Sequence, residues 1–213
     1  TCVGIKKNQA TELLDKYIEL GVNRVMVLKG DTPTVRFPYK NSRDKGDFRF
    51  ANEMVEFIKE QYKSYFHIQV GAFPEKHPQS KSFTNDIKFF VNKMNSGADS
   101  AVTQYFYNVD AYFSFVEEVQ KFGVDVPIVP GIMPITNYEK LMSFSKMAGA
   151  EIPSWIMNRL QLYKDDEESL KVFGQEVVSE MCLKLKAGGV KDFHFYSMNR
   201  IEPVLSIAQN IKA

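Results

Sequence analysis

Polar residues able to do chemistry stand directly after short apolar runs in this chain. The clearest is Asp31, which follows the apolar run 25–28 (Val-Met-Val-Leu) and the pair Lys29-Gly30. Such a run between polar residues predicts a strand buried on both faces. In parallel α/β folds ligands bind at the carboxyl ends of the strands, so an acid placed there is a candidate for chemistry. Asp31 equally fits a residue that caps the following turn, because Asp is common in turns.

Similar positions recur after four other apolar runs. Together with Lys29 and Asp31 they supply an acid, several cations, a glutamine and aromatic rings, at 73–78, Gln104, Asn108, 131–137, Ser197, Asn199 and Arg200. Aromatic faces stack on planar rings, a glutamine reads the amide edge of a heterocycle, and Arg or Lys holds phosphate or carboxylate. If the strands are parallel, these residues face one mouth and predict a site for a large, planar, partly anionic ligand.

Several of these residues also fit a purely structural role. Gln104 could be an interior polar group held by hydrogen bonds, since buried polar groups are usually satisfied. His77 could be a plain loop histidine, and Arg200 could simply pair with Glu202. Phe144, in a helical pattern, is by default a core residue. The three histidines are dispersed and predict no metal site.

The elements that would position these residues alternate regularly. The patterns predict helices at 10–20, 52–61, 84–95, 111–121 and 167–186, most followed by glycine, and strands at 25–28, 67–71, 101–106, 127–129 and 193–196. The segment 138–187 is nearly all helical in pattern, with a break at Pro153, and 32–50 is a long, turn-rich loop of the kind that serves a ligand. This alternation predicts a parallel α/β sheet, and no GxGxxG turn favours a dinucleotide-binding Rossmann fold. We therefore predict a single (β/α)8 TIM barrel domain over residues 1–213, with about the first three strands missing from the chain.

Composition narrows the class of protein. The 213 residues are 44% hydrophobic, which suffices for one sizeable core. The net charge is +1, with 27 basic and 26 acidic residues, so nucleic acid and membrane surfaces are poor candidates for partners. Cys2 and Cys182 lie far apart without CxxC spacing, which fits a reducing cytoplasm. The N-terminus shows no signal-peptide pattern. It lacks a starting Met and begins in what looks like the end of a strand, so we expect the chain to be incomplete at this end.

Five motifs, in this order and spacing, resemble the methylenetetrahydrofolate reductase family. They are 28–31 (Leu-Lys-Gly-Asp), 72–78 (Ala-Phe-Pro-Glu-Lys-His-Pro), 103–108 (Thr-Gln-Tyr-Phe-Tyr-Asn), 130–135 (Pro-Gly-Ile-Met-Pro-Ile) and 194–200 (His-Phe-Tyr-Ser-Met-Asn-Arg). The resemblance implies a (β/α)8 barrel with FAD at its carboxyl-end mouth. It also implies a ping-pong reaction of one-carbon and methionine metabolism, in which hydride passes from NAD(P)H through the flavin to methylenetetrahydrofolate.

The resemblance also implies roles for individual residues. Asp31 would be catalytic, its negative charge stabilising an iminium cation on the folate. The folate would be bound by Asp31, Gln104, Lys140, Phe144 and Arg200. FAD contacts would come from Lys29, Gly30, Asp31, Phe50, Ala51, Phe73, His77, Ser80, Asp86, Asn92 and Lys93. We further expect a homo-oligomer, of a size that the sequence does not fix.

The chain departs from the family pattern in places. Lys29 stands where the family often has Arg, and Lys140 where it often has Gln. The family's general acid is a Glu on the first barrel strand, which this sequence lacks; Glu75 is the nearest acid, and we do not expect it to take that role. Two alternatives stay open: a barrel lyase or aldolase using Lys29 as a Schiff-base amine, and a non-catalytic fragment whose sheet has unpaired edges.

Overall fold

The computed structural model describes residues 1–30 and 46–212, and Asp31 therefore lies outside the described residues. The described chain forms two compact units, called unit 1 (residues 1–71 and 88–101) and unit 2 (72–87 and 102–213). Its helices are α1 (Lys7–Glu19), α2 (Ala51–Tyr62), α3 (Phe83–Asn95), α4 (Val109–Lys121), α5 (Tyr138–Ala148), α6 (Ser154–Leu162), α7 (Glu167–Ala187) and α8 (Glu202–Lys212). Its strands are β1 (Arg24–Val27), β2 (His67–Ala72), β3 (Ser100–Thr103), β4 (Ile128–Val129), β5 (Gly131–Ile132) and β6 (His194–Phe195).

Local sequence signals explain where several helices begin and end. The side chains of Asn108, Asn137 and Asp166 each accept a hydrogen bond from a backbone N–H in the first turn of α4, α5 and α7. Gly149 ends α5 in the left-handed conformation, with φ +70°. The five helices expected from the sequence are all present, with ends that differ from the expected ones by at most three residues.

In unit 1, β1 pairs in parallel with β2, from Arg24 opposite His67 to Val27 opposite Val70. The prediction that β1 is buried on both faces is wrong. Val27 is buried, whereas Met26 and Leu28 on the opposite face are 38% exposed. Side chains alternate between the two faces of a strand, so in the described residues one face of β1 is covered and the other is open.

In unit 2, the strand expected at 127–129 is followed, after one proline, by a second short strand in another sheet. β4 ends at Val129, Pro130 follows, and β5 then pairs in parallel with β6. Pro130 has no N–H to donate, yet its carbonyl accepts from the His194 backbone N–H at 3.0 Å. The parallel α/β class predicted from the sequence is confirmed, since every strand pair whose register is resolved is parallel.

The strand expected at 101–106 is shorter than predicted. The Gln104 N–H still donates to the Ala72 carbonyl at 2.7 Å, after which the chain leaves the ladder. Tyr105, Phe106 and Tyr107 are nevertheless buried. Their apolar run reflects packing in the unit 2 core rather than continued strand, which is why the pattern overextends β3.

The core of unit 2 is built on α7. Val178, Cys182 and Leu185 of this helix are fully buried, and α7 packs against α8, whose Ile207 is also buried. The predicted break at Pro153 is confirmed, because Pro153 caps α6. A further break at 163–166 precedes α7, which Asp166 caps and which begins at 167 as predicted, so the segment 138–187 holds three helices. Of the helices described here, none combines the length and the apolar content that a membrane span requires.

Candidate active site

The predicted FAD residues of unit 1 lie at the carboxyl end of β1 and the start of α2. Lys29 and Gly30 follow β1, and the Lys29 Nζ lies 6.0 Å from the centroid of the Phe50 ring. Phe50 precedes Ala51, the first residue of α2, and is 55% exposed. An open aromatic face beside a cation at a helix N-terminus can stack a planar ring and attract an anion.

Two further predicted FAD residues of unit 1, Asn92 and Lys93, are neighbours on α3. The Lys93 Nζ donates to the carbonyl of Gly71 in β2 and lies 5.5 Å from the centroid of the Phe90 ring. Asn92 is exposed. The ammonium of Lys93 is therefore held beside β2 by a backbone oxygen.

The predicted FAD residues of unit 2 lie in the turn after β2 and in the first turn of α3. The rings of Phe73 and His77 meet edge to face, with centroids 4.5 Å apart. The His77 backbone N–H donates to the Asp86 carboxylate at 2.9 Å, and its carbonyl accepts from the Ser80 N–H at 2.8 Å. The His77 Nδ1 accepts from the Gln79 N–H, which leaves the ring proton on Nε2. Phe73, His77, Ser80 and Asp86 are thus brought together.

Gln104 stands at the carboxyl end of β3. Its Oε1 accepts from the Tyr105 backbone N–H at 3.1 Å, which fixes the orientation of the carboxamide. The Tyr105 hydroxyl lies 3.2 Å from the Ser145 Oγ on α5. Burial raises the pKa of Tyr105, with a smaller opposing effect from the Ser145 hydrogen bond, so the phenol is neutral at physiological pH.

The predicted folate residues Lys140 and Phe144 also lie on α5. Their spacing of four residues puts them on one side of this helix. Lys140 is exposed, whereas Phe144 is partly buried against the unit 2 core. The expectation that Phe144 is a core residue therefore holds only in part, because its side chain packs against the core but remains partly accessible to solvent.

Arg200 is exposed in the turn after β6. Met198 and Asn199 before it adopt left-handed conformations, with φ +49° and +58°, and the Arg200 N–H donates to the Ser197 carbonyl at 2.9 Å. The Arg200 charge contributes, after the larger effect of Lys171, to a lowered pKa of Glu167 at the start of α7. The described residues contain no ion pair between Arg200 and Glu202, so the structure does not support that alternative.

Two contacts in unit 2 were not foreseen from the sequence. One Glu75 carboxylate oxygen, Oε2, accepts from the Glu151 N–H at 2.8 Å, across 76 positions. The Thr103 Oγ1 accepts from the Gly131 N–H at 2.9 Å. Neither could be found by spacing, because the partners come from different βα units. Among the described residues, no group of three His, Cys, Asp or Glu side chains is arranged to hold a metal ion.

Comparison with known proteins assigns the family. The family model described as methylenetetrahydrofolate reductase matches residues 1–212. The chain belongs to the methylenetetrahydrofolate reductase family. The resemblance inferred from the five motifs is thereby confirmed, and the chain belongs to a family of enzymes. This membership favours a reductase over the Schiff-base lyase alternative for Lys29.

Individual relatives in this family agree. The chain is 34% identical over 211 residues to the 5,10-methylenetetrahydrofolate reductase of Pectobacterium carotovorum subsp. carotovorum, covering 99% of this chain and 67% of the relative. It is 32% identical to the enzyme of the same name from Escherichia coli (strain K12), covering 68% of that relative. A probable methylenetetrahydrofolate reductase (NADH) of Oryza sativa subsp. japonica is 32% identical, but the chain spans only 37% of it.

One solved structure shows a similar fold. It is an uncharacterized protein from Clostridium thermocellum that binds two copies of 5-methyl-5,6,7,8-tetrahydrofolic acid. Its TM-score is 0.53 at 21% identity, over 76% of this chain and 58% of that one. At this identity the likeness bears on the fold alone.

Proposed function

We propose that the protein reduces 5,10-methylenetetrahydrofolate to 5-methyltetrahydrofolate, with FAD as cofactor and NADH or NADPH as reductant. The match of the methylenetetrahydrofolate reductase family model over residues 1–212 carries this proposal. One further fact supports the choice of reductant, since two plant relatives are named for NADH.

The chemistry of the side chains fits FAD. In unit 1 the exposed Phe50 ring and the Lys29 ammonium offer a stacking face and a cation for a ring and a phosphate. In unit 2 the turn that holds Phe73, His77 and Ser80, tied to Asp86 of α3, offers ring edges and backbone groups. Gly30, Ala51, Asn92 and Lys93 complete the proposed binding set. When bound, FAD would supply the hydride chemistry, and the protein would bind and orient the reactants.

The proposed folate residues divide the work of recognition. The Gln104 carboxamide, fixed by the Tyr105 N–H, would read the amide edge of the pterin, and the accessible part of Phe144 would stack on the substrate. The exposed cations of Lys140 and Arg200 would attract its carboxylates. Asp31, outside the described residues, would stabilise positive charge on the folate.

We also propose that the parallel sheet belongs to a (β/α)8 barrel whose remaining strands lie outside these 213 residues. The supporting observation is that β1, β2, β3 and β4 are neighbours in the order in which they occur along the chain. A barrel gathers the carboxyl ends of all strands at one mouth. That the protein is a homo-oligomer and that it is cytoplasmic both stay predictions. Sedimentation can check the oligomeric state, and cell fractionation can check the location.

The function is tested on purified full-length protein. We expect the yellow absorbance of oxidised flavin, bleaching of that absorbance by NADH or NADPH, and its return when methylenetetrahydrofolate is added. Asp31→Asn should slow the folate-dependent step about a hundredfold and leave nicotinamide oxidation nearly unchanged. Asp125→Asn, in the exposed loop before β4, is the matched control and should change neither step. A colourless protein that ignores added FAD would refute the proposal, and equal losses in both steps would remove the role of Asp31.

A further inference from the structure

Glu75 carries a buried carboxylate oxygen that has no hydrogen-bond partner among residues 1–30 and 46–212. The side chain lies in the turn after β2, and its Oε2 accepts from the Glu151 backbone N–H at 2.8 Å. Its other oxygen, Oε1, is shielded from solvent and makes no hydrogen bond within the described residues. A buried acceptor left in this state destabilises the protein, so such an oxygen normally meets a water or another polar group.

A small cavity lies beside this carboxylate. Its volume is about 10 Å³, and its lining includes Glu75, Gln104, Phe73, Tyr105 and the segment 148–150. This is about the smallest volume that holds one water molecule, which also needs at least two polar partners. The cavity is thus lined both by Glu75, whose Oε1 is unpaired within the described residues, and by Gln104 at the end of β3.

The hydrogen bonds of Gln104 complete the picture. A carboxamide has two N–H donors and two acceptor lone pairs. The Tyr105 N–H occupies one lone pair of Oε1. A water in the cavity can accept from one Gln104 Nε2–H and donate to the Glu75 Oε1, which satisfies both groups.

We propose that Glu75 is a positioning residue for Gln104, holding its carboxamide through one bridging water so that it can read the folate pterin; this rests on the proposed function. The water would occupy one N–H donor of Gln104 and the Tyr105 N–H occupies one lone pair of its Oε1. One N–H donor and one lone pair would then remain free to bind the substrate. That remaining pair matches the acceptor and donor of a heterocyclic amide edge. Glu75 thereby acts on substrate affinity without touching the substrate.

The ionisation of Glu75 makes this arrangement dependent on pH. Burial raises its pKa, the Glu151 N–H opposes this effect, and the Glu151 charge adds a smaller rise. Among the described residues, two further ionisable groups line the same cavity: Lys76, whose Nζ donates to the Ser80 carbonyl, and the neutral Tyr105. Because the ionised carboxylate accepts the water's hydrogen bond better, folate affinity should rise with pH through the raised pKa of Glu75.

The test measures equilibrium binding of 5-methyltetrahydrofolate to the full-length holoenzyme. Glu75→Gln should weaken binding about tenfold, the cost of one buried hydrogen bond, and abolish its rise with pH. The rate of flavin reduction by nicotinamide should stay within about twofold of wild type. Glu151→Gln is the control, because it keeps the backbone N–H that Glu75 accepts, and its affinity at neutral pH should stay near that of wild type.

A double-mutant cycle separates positioning from general damage. In a Gln104→Ala background the penalty of Glu75→Gln should fall below about twofold, since Glu75 then has no amide to hold. An undiminished penalty, or unchanged affinity in Glu75→Gln alone, would overturn the proposal. If the variants fold poorly, an atomic-resolution crystal structure of the wild type decides. Water density about 3 Å from the Glu75 Oε1 and the Gln104 Nε2 supports it, and a cavity empty of density overturns it. Wild-type protein that binds no folate would instead overturn the proposed function.

Discussion

Thr103 is the residue that ties three strands of unit 2 together. Its side chain is fully buried at the end of β3, where Oγ1 accepts from the Gly131 N–H of β5. Its carbonyl accepts from the Tyr196 hydroxyl, just after β6, at 2.9 Å. At Gly131 an added Cβ would lie 2.1 Å from that same carbonyl oxygen, so only glycine allows the approach.

Thr103→Val should therefore lower the free energy of unfolding. Valine keeps the shape of threonine but leaves the buried Gly131 N–H without its acceptor, which costs about 1–3 kcal/mol. Urea unfolding followed by circular dichroism measures the loss. Thr103→Ser, which retains the hydroxyl, should recover part of it; a valine variant as stable as wild type would show that the Gly131 N–H finds another partner.

Asp99 gives unit 1 a pH-dependent contact. Burial alone would raise its pKa, but the Ile68 N–H at 2.7 Å and the Lys59 ammonium at 2.9 Å outweigh that effect, and the pKa is lowered from 3.8. A carboxyl whose folded pKa is lowered adds stability that is present above its unfolded pKa and lost as the pH falls through the folded value.

Asp99→Asn should consequently destabilise the protein at neutral pH, with the difference from wild type shrinking below pH 3.8. Thermal unfolding of both proteins across this range measures the effect. Glu118→Gln, which breaks the exposed pair with Lys121, is the matched control and should have little effect at any pH. A constant difference between wild type and Asp99→Asn would mean that the carboxylate charge is not what matters.

At the scale of elements, the Glu75 carboxyl group connects the turn after β2 to the segment that follows α5, through the Glu151 N–H. Burial favours the neutral form of this carboxyl group. Glu75 carries the raised pKa described above, so the folded state binds its proton more tightly than the unfolded chain does. Its contribution to stability is then fully present below the ordinary value of 4.5 and is lost as the pH rises through the folded pKa.

Glu75→Gln should remove this dependence. Between pH 4 and pH 7 the melting temperature of the variant should rise relative to that of wild type, even though its folate affinity is lower. Opposite changes in stability and binding are expected where a strained charge serves function. Differential scanning calorimetry at several pH values measures the first change; parallel melting curves would show that the Glu75 charge is not destabilising.

The element pattern was largely predictable because each helix carries its own signals. Apolar spacing, a capping Asn or Asp and a following Gly are all local, and they located α1, α2, α3, α4 and α7. The two-residue β5 escaped prediction because its pairing with β6 is set by chain partners about 60 residues away, and α8 was not assigned at all. The exposure of one face of β1 was not predicted for a related reason, because the sequence of a strand does not determine what packs against each of its faces.

The candidate site divides in the same way. Phe73 and His77 lie within one short motif and Ser80 follows it by two residues, so the sequence could predict that they act together. The bond from the Glu151 N–H to Glu75, and the cavity shared with Gln104, depend on how distant segments pack. Sequence reasoning named Glu75 only as the nearest acid, and no spacing rule would have joined it to Gln104.

At the scale of the whole molecule, each compact unit holds one buried cysteine. Cys2 lies in unit 1, where its Sγ contacts the Lys29 carbonyl oxygen, and Cys182 lies in α7 within the core of unit 2. Burial raises the pKa of both thiols, that of Cys182 to about 12. The two thiols are therefore natural probes of how far each unit opens in solution.

We expect neither thiol to react with an aromatic disulfide reagent at pH 8 in the time in which a small peptide thiol reacts fully. For Cys182, with a pKa of about 12, only about one thiol in 10⁴ is ionised at that pH, and the reagent also has no access to the sulfur.

In denaturing urea both thiols should react, giving two equivalents per chain. The variants Cys2→Ser and Cys182→Ser assign each rate. Cys2, close to the N-terminus, should become reactive at lower urea than Cys182, because chain ends open more readily than a core helix. Rapid labelling of Cys182 in native buffer would contradict the packing of α7 on which the unit 2 core depends.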